Sequence, residues 1–249
     1  MKKSLSKGLV LFITLCTLYT VLSTVVYAQP QLPYDLIEVP TAYPIQKGNY
    51  NLDFRIYGGT VPGGGGILGK IRLGLLDSLF LGLSLSVDNL IGSGDPSIPS
   101  GNPGVLARFR VFDEMTSKVF PTISLGFDSS NYWDKKGKGF YVVASKELPV
   151  GKMFSHVHGG VNRPVGDDIP IGFFTAYDFF FSPEFDAIVE VESGNANTNS
   201  ALYISYNFGI EYNPIASLRV GLFCRNLFEI GGPVTSTREI HIGYANKLF

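Results

Sequence analysis

The chain has 249 residues, a formal net charge of −1 and two cysteines, Cys16 and Cys224. A near-neutral charge excludes the basic footprint of a nucleic-acid partner and a polybasic attachment to anionic lipid. Charged residues are 16% and aromatics 13%, against roughly 25% charged in an ordinary soluble domain, and this balance without a long apolar helix in the mature chain is what a lipid-facing sheet produces.

Lys2, Lys3 and Lys7 precede a largely apolar stretch from Leu9 to Val26, and Val26-Tyr27-Ala28 supplies a cleavage site. Residues 1–28 therefore read as an export signal. Cys16 sits behind bulky Leu15, a poor lipoprotein site, so the mature chain keeps Cys224 alone, with neither a disulfide nor a cysteine metal cluster. Residues 29–48 read as a periplasmic N-terminal segment, and 49–249 as one β-domain.

From Asn49 onward, apolar residues recur at every second position. Tyr50, Leu52, Phe54 and Ile56 alternate with Asn51, Asp53 and Arg55, and Leu202, Ile204, Tyr206, Phe208 and Ile210 alternate with Tyr203, Ser205, Asn207, Gly209 and Glu211. A period of two places each set on one face of a strand. The pattern predicts about twelve strands, at 49–57, 67–76, 79–88, 104–112, 119–128, 139–147, 153–162, 170–180, 185–192, 201–212, 218–227 and 237–248. Short connections such as Asp77-Ser78 and Phe181 to Glu184 alternate with longer ones such as Asn89 to Pro103 and Ser193 to Ser200. Bacterial outer-membrane barrels have short periplasmic turns and longer outer loops. The expectation is an all-β, antiparallel, up-and-down transmembrane β-barrel in a bacterial outer membrane, in contact with its lipid, with both termini periplasmic.

A soluble β-protein shows the same alternation with inside and outside exchanged. The makeup of the two phases separates the cases. The polar phase mixes Asp53, Arg55, Lys70, Arg72, Arg108, Asp178, Glu190, Glu211, Arg219 and Arg225 with many glycines, among them Gly82, Gly126, Gly160, Gly209 and Gly221. A solvated face has no need of such glycines, whereas a narrow lumen uses them to make room for a long Arg opposite. The apolar phase gathers rings near the turns: Phe112, Phe120, Phe179, Phe181, Phe185 and Tyr212 on the periplasmic rim, and Tyr57, Phe127, Phe173 and Phe228 on the outer one. Such paired girdles mark a membrane barrel.

The last strand alternates Ile240, Ile242 and Tyr244 before the chain stops at Phe249, the pattern of a signal for the barrel-assembly machinery. Phe249 is one residue out of phase, so either a bulge near Asn246-Lys247 restores the register or the last residues lie outside the lipid. The segments Glu38-Val39-Pro40-Thr41-Ala42-Tyr43-Pro44, Lys47-Gly48-Asn49-Tyr50, Phe120-Pro121-Thr122-Ile123-Ser124-Leu125-Gly126-Phe127-Asp128 and Gly139-Phe140-Tyr141-Val142-Val143-Ala144-Ser145-Lys146 resemble YjbH-type outer-membrane proteins associated with exopolysaccharide production. The resemblance runs from about Ile37 to about Gly160 and implies a barrel tied to assembly or export of an extracellular polysaccharide. Members of that type are usually much longer, so this chain would be a single-barrel version.

No constellation for covalent chemistry stands out. His156 and His158 alternate on one strand, about 7 Å apart, without a recognisable third metal ligand, and read as lumen hydrogen-bonders; no metal or cofactor is expected. Ser155 lies in the opposite phase from His156, and no G-x-S-x-G is present, so no enzyme is expected. The charges of the inward phase carry more. Arg55, Lys70, Arg72, Arg108 and Arg110 come from strands one to four, and Asp178, Asp186, Glu190, Glu192 and Glu211 from strands eight to ten. In a closed cylinder these form a basic and an acidic wall facing each other. The result is either a transverse field across a water-filled channel or cross-lumen ion pairs that plug it. Function is expected to be non-enzymatic passage or export of polysaccharide or a related polar solute; the alternatives are a closed assembly barrel with partner-binding outer loops and, less favoured, a lipid-modifying enzyme. Phe80, Tyr203 and Phe223 are the rings available in the lumen phase for stacking on sugar.

Overall fold

The computed structural model describes residues 33–58, 64–114, 119–132, 135–150, 153–165, 171–195, 202–230 and 236–248. The export signal, residues 1–28, lies outside the described residues, as does Phe249. The strands are β1 (Asn49–Tyr57), β2 (Gly65–Leu76), β3 (Leu79–Ile91), β4 (Gly104–Phe112), β5 (Thr122–Asp128), β6 (Asn131–Tyr132), β7 (Lys135–Lys136), β8 (Gly139–Val150), β9 (Met153–Arg163), β10 (Gly172–Ser182), β11 (Phe185–Asn195), β12 (Leu202–Ile215), β13 (Leu218–Ile230) and β14 (Thr237–Lys247). Twelve of them close a barrel in which each strand pairs antiparallel with its sequence neighbours and β1 pairs with β14. The remaining two, β6 and β7, form a small hairpin in the connection between β5 and β8. All twelve expected strands are present. The fifth starts at Thr122 rather than 119, because Val119 and Phe120 are exposed and Pro121 has no N–H for the ladder.

Alternation fixes the two faces. In β3, Leu81, Leu83 and Leu85 are exposed while Phe80, Ser84 and Ser86 are buried; in β14, Ile240 and Ile242 are exposed while Thr237, Glu239 and His241 are buried. The exterior is thus an apolar belt and the interior carries the charge, the inverse of a soluble barrel. At the end with the short turns, Phe181 and Phe185 lie 5.8 Å apart, Phe185 and Tyr212 4.6 Å apart, and Phe112 and Phe120 5.9 Å apart, as touching rings of one rim. Tyr57 departs from its expected place. It falls in the inward phase of β1, is 1% exposed and donates its hydroxyl to Asp88, so it belongs to the lumen rather than the outer girdle.

Strand β14 pairs with β1 without a break from Glu239 to Lys247. There is accordingly no bulge at Asn246-Lys247, and Leu248 beyond it is exposed and donates its backbone N–H to Gly48.

The larger correction concerns the segment before β1. The sequence pattern sets residues 29–48 apart from the barrel, in the periplasm. Over its described part this chain instead fills the lumen: Leu36, Ile37, Val39, Thr41, Ala42 and Ile45 are all completely buried. The segment folds back on itself as an open hairpin, with Asp35 bridging to Pro40, the Leu36 N–H donating to Val39 at 3.0 Å and the Thr41 N–H donating to Tyr34 at 3.2 Å. It joins no strand ladder of the wall. Pro33, Pro40 and Pro44 break any period of two, and the lumen gives its apolar side chains the burial they lack elsewhere.

Candidate functional site

The barrel order puts β1, β2 and β4 across the lumen from β10, β11 and β12. Arg55, Lys70, Arg72 and Arg108 on the first side, and Asp178, Asp186, Glu190, Glu192 and Glu211 on the second, are all buried. Arg110 does not join them. It sits where β4 ends, paired with Asp113 at 2.8 Å and donating to the Asp77 carbonyl at 3.1 Å, with its side chain 24% exposed.

The two walls do not meet each other directly; the N-terminal segment lies between them. On the basic side, Arg108 Nη2 reaches Asp35 Oδ1 at 2.7 Å, Arg72 Nη2 bonds Asp35 Oδ2, and Lys70 Nζ lies 3.6 Å from the same oxygen. Burial by itself would raise the Asp35 carboxyl, but the pull of Arg72, Lys70 and Arg108 outweighs it and holds the group far below the usual carboxylate range. The remaining donors of Arg108 go to the Tyr34 carbonyl at 2.6 Å and the Tyr43 carbonyl at 3.3 Å. Its Nε donates to the Tyr141 hydroxyl at 3.0 Å, and its guanidinium lies 5.0 Å over the ring of Phe80. Arg55 donates to the Ile37 and Leu36 carbonyls, and Arg225 Nη1 reaches Glu38 at 3.0 Å.

On the acidic side, Glu190 accepts from the backbone N–H groups of Ile37 at 2.7 Å, Val39 at 3.0 Å and Glu38 at 2.9 Å to its other oxygen, and from Asn207 Nδ2 at 3.0 Å. Three successive backbone donors around one carboxylate make a small anion nest. Lower on this side, His241 bridges Glu211 and Asp53 with 2.8 Å contacts from Nδ1 and Nε2, and Asp186 stands across from Glu211 in the ladder. Glu192 pairs with Lys138 from the connection that carries β6 and β7.

His156 and His158 do acquire the third partner that the sequence did not identify. His156 Nδ1 lies 2.9 Å from Asp178 Oδ2 and His158 Nε2 3.0 Å from Oδ1, so the ligand-capable atoms of all three fall within 4.8 Å of one another. Each carboxylate oxygen is engaged by one imidazole, and Tyr43 of the segment packs edge-on against both rings, at 5.7 and 6.0 Å. His158 Nδ1 also meets Ser145 Oγ at 2.7 Å, while Ser155, the serine considered beside His156, donates to the Leu148 carbonyl. The Ser145 hydroxyl accepts the Ala42 N–H at 2.7 Å, and Ser124 donates to the Ala42 carbonyl at 2.6 Å. This hydroxyl, imidazole and carboxylate group therefore holds the segment in place.

The lumen glycines serve rings and the segment as well as arginines. Gly82 lies against the stem of Arg72, as expected, but a Cβ on Gly126 would run into the Tyr141 ring, and one on Gly209 would meet Phe223 at 2.5 Å and Ile37 at 3.1 Å. Phe80 and Phe223 are buried as the inward phase requires, and Tyr141 and Phe174 join them; the side chain of Tyr203 lies outside the described residues. A cavity of about 20 Å³ lies among Asp35, Glu38, Arg55, Lys70, Lys138 and Tyr141, room for about one water.

No known family and no curated protein matches the sequence. Among solved structures, the barrel is similar to the KdgM porin, with a TM-score of 0.53, 11% identity, and coverage of 78% of this chain and 98% of the porin. It is also similar to the KdgM porin in complex with disordered oligogalacturonate, with a TM-score of 0.51 at the same identity and coverage. The chain therefore has the barrel fold of outer-membrane porins.

Proposed function

We propose that the protein is a passive outer-membrane channel for an acidic saccharide or a related polar anion, of the YjbH-like kind tied to extracellular polysaccharide, with both termini in the periplasm. One observation carries the reading: Lys70, Arg72 and Arg108 of the wall converge on a single point of the lumen, where the carboxylate that all three meet, Asp35, belongs to the N-terminal segment and not to the wall. Three cations gathered at one point, with Asp53 and Asp128 only at their backs, lower the barrier to an anion where water is scarce. The resemblance of Glu38 to Pro44 and of Gly139 to Lys146 to YjbH-type proteins, and the binding of oligogalacturonate by a porin of the same fold, support an acidic saccharide as the solute.

A second reading, a sealed assembly barrel, is favoured by the filled lumen. Reversal potentials of the refolded full chain in planar bilayers separate the two. The channel reading expects anion-preferring openings that shift toward cations when Arg72 and Arg108 are both replaced by Gln. Silence of the parent under all conditions, together with unchanged polysaccharide output in a deletion strain, would leave the sealed barrel.

A further inference from the structure

Residues 33–46 are built like a ligand rather than like a piece of the wall. They share no ladder with any barrel strand, they close only on themselves, and they present complementary groups to each side of the lumen. To the basic side they offer two carboxylates, Asp35 to Lys70, Arg72 and Arg108, and Glu38, which lies 3.6 Å from Arg55. To the acidic side they offer three hydrogen-bond donors, the N–H groups of Ile37, Glu38 and Val39 on Glu190.

The wall groups around Asp35 are organised without it. Arg108 is held by the Tyr141 hydroxyl and the face of Phe80, Arg72 by Asn51 Oδ1 at 2.6 Å and Asp53 at 3.8 Å, and Lys70 by Asp128 at 3.7 Å. Three cations thus converge on one point with their own supports, and the countercharge at that point comes from the inserted chain. Two guanidiniums, each giving one nitrogen to a different oxygen, suit a carboxylate. Arg108 lies over the rings of Phe80 and Tyr141, at 5.0 and 5.8 Å, so these rings orient the cation, while Glu190 opposite suits hydroxyl donors. A carboxylate and hydroxyl donors on one molecule together describe a uronic acid.

We propose that the N-terminal segment is a self-ligand: the Asp35 carboxylate occupies a subsite formed by Lys70, Arg72 and Arg108 that takes the carboxylate of a uronic-acid oligomer, and the oligomer binds by displacing the segment. The proposal rests on the channel reading for its purpose but not for its test. Because the segment competes with the oligomer, the apparent affinity of the resting protein is reduced by the fraction of molecules in which the segment is withdrawn. Weakening the competitor tightens binding; weakening the subsite abolishes it.

The test uses the refolded full chain and trigalacturonate as probe, with maltotriose as the uncharged control. Binding is measured calorimetrically, and segment withdrawal by maleimide reaction of the single thiol in a protein carrying Cys16→Ser, Cys224→Ser and Val39→Cys. Expected are binding of trigalacturonate and not maltotriose, faster labelling of the Val39→Cys thiol when trigalacturonate is present, affinity tighter by about tenfold in Asp35→Asn, and loss of binding in Arg72→Gln/Arg108→Gln. Equal affinity for parent and Asp35→Asn, with labelling of the Val39→Cys thiol unmoved, would overturn the proposal, as would absence of binding to both. The labelling arm leaves Asp35 and its partners intact, so a misfolded Asp35→Asn does not remove the test. Displacement without any conductance would retain the self-ligand and sink the channel; conductance without displacement would do the reverse.

Discussion

Arg108 and Asp35 face each other at 2.7 Å across the boundary between the barrel wall and a chain that is not part of it. The pair is buried on both sides, and so are the partners that support it. A buried charge left without its partner costs several kcal/mol, so the wall and the segment stabilise each other for as long as nothing else supplies the missing charge.

The Glu190 nest holds the segment from the other side. Glu190→Ala leaves the buried N–H groups of Ile37 and Val39, and the part-buried N–H of Glu38, without their acceptor, at a cost of about 1–3 kcal/mol for an unsatisfied buried group. The expected outcome is faster thiol labelling at Val39→Cys in this background, with Glu190→Gln intermediate because its amide oxygen still accepts. Equal protection in all three proteins would show that the nest does not hold the segment.

The lipid face is tested at Leu83, which is 51% exposed in the middle of β3. Leu83→Arg should cost about 2–4 kcal/mol on folding into bilayers, whereas Leu83→Phe should be tolerated. Denaturant titration of folding into lipid vesicles gives both numbers, and indifference to Arg would argue for a watery exterior.

The rim of rings makes a third case. Phe185 touches both Phe181 and Tyr212, and each aromatic contact is worth about 0.5–1.5 kcal/mol beyond burial. Phe185→Ala should therefore lower stability in lipid by more than the same change at Phe140, which among the described residues contacts a single ring, Phe127, at 4.8 Å. The two variants are compared in one vesicle-folding titration.

Period-two alternation made the barrel legible because strands with one lipid face and one charged face repeat it over residues such as Leu81, Leu83 and Leu85. The segregation of Arg72 from Glu190 was legible for the same reason, since strand order follows chain order in an up-and-down barrel. The segment inside the lumen was not. Its fold is set by the cavity around it rather than by its own periodicity, and its prolines erase any pattern. A signal was nevertheless present: Leu36, Ile37, Val39 and Ile45 are apolar residues with no place in a solvated linker, interrupted by Asp35 and Glu38. Tyr57 and Tyr141 were misread or missed because an aromatic at a strand end can lie on either face, and only the phase of Asp53 and Arg55 assigns Tyr57 to the lumen. Asp178 as the partner of both histidines depended on the β9–β10 register, where it stands opposite His156, and register is not visible in composition.

Locking residues 33–46 in the lumen decides whether their withdrawal opens the proposed channel. The Ala42 N–H donates to the Ser145 hydroxyl at 2.7 Å, so the two residues are neighbours, and a disulfide between Ala42→Cys and Ser145→Cys in a Cys16→Ser/Cys224→Ser background, its formation checked by thiol titration, ties the segment to the wall. Single-channel recording in planar bilayers with trigalacturonate present should find the oxidised protein silent and the reduced protein opening in discrete steps. Equal conductance before and after reduction, or silence in both states, would contradict the account.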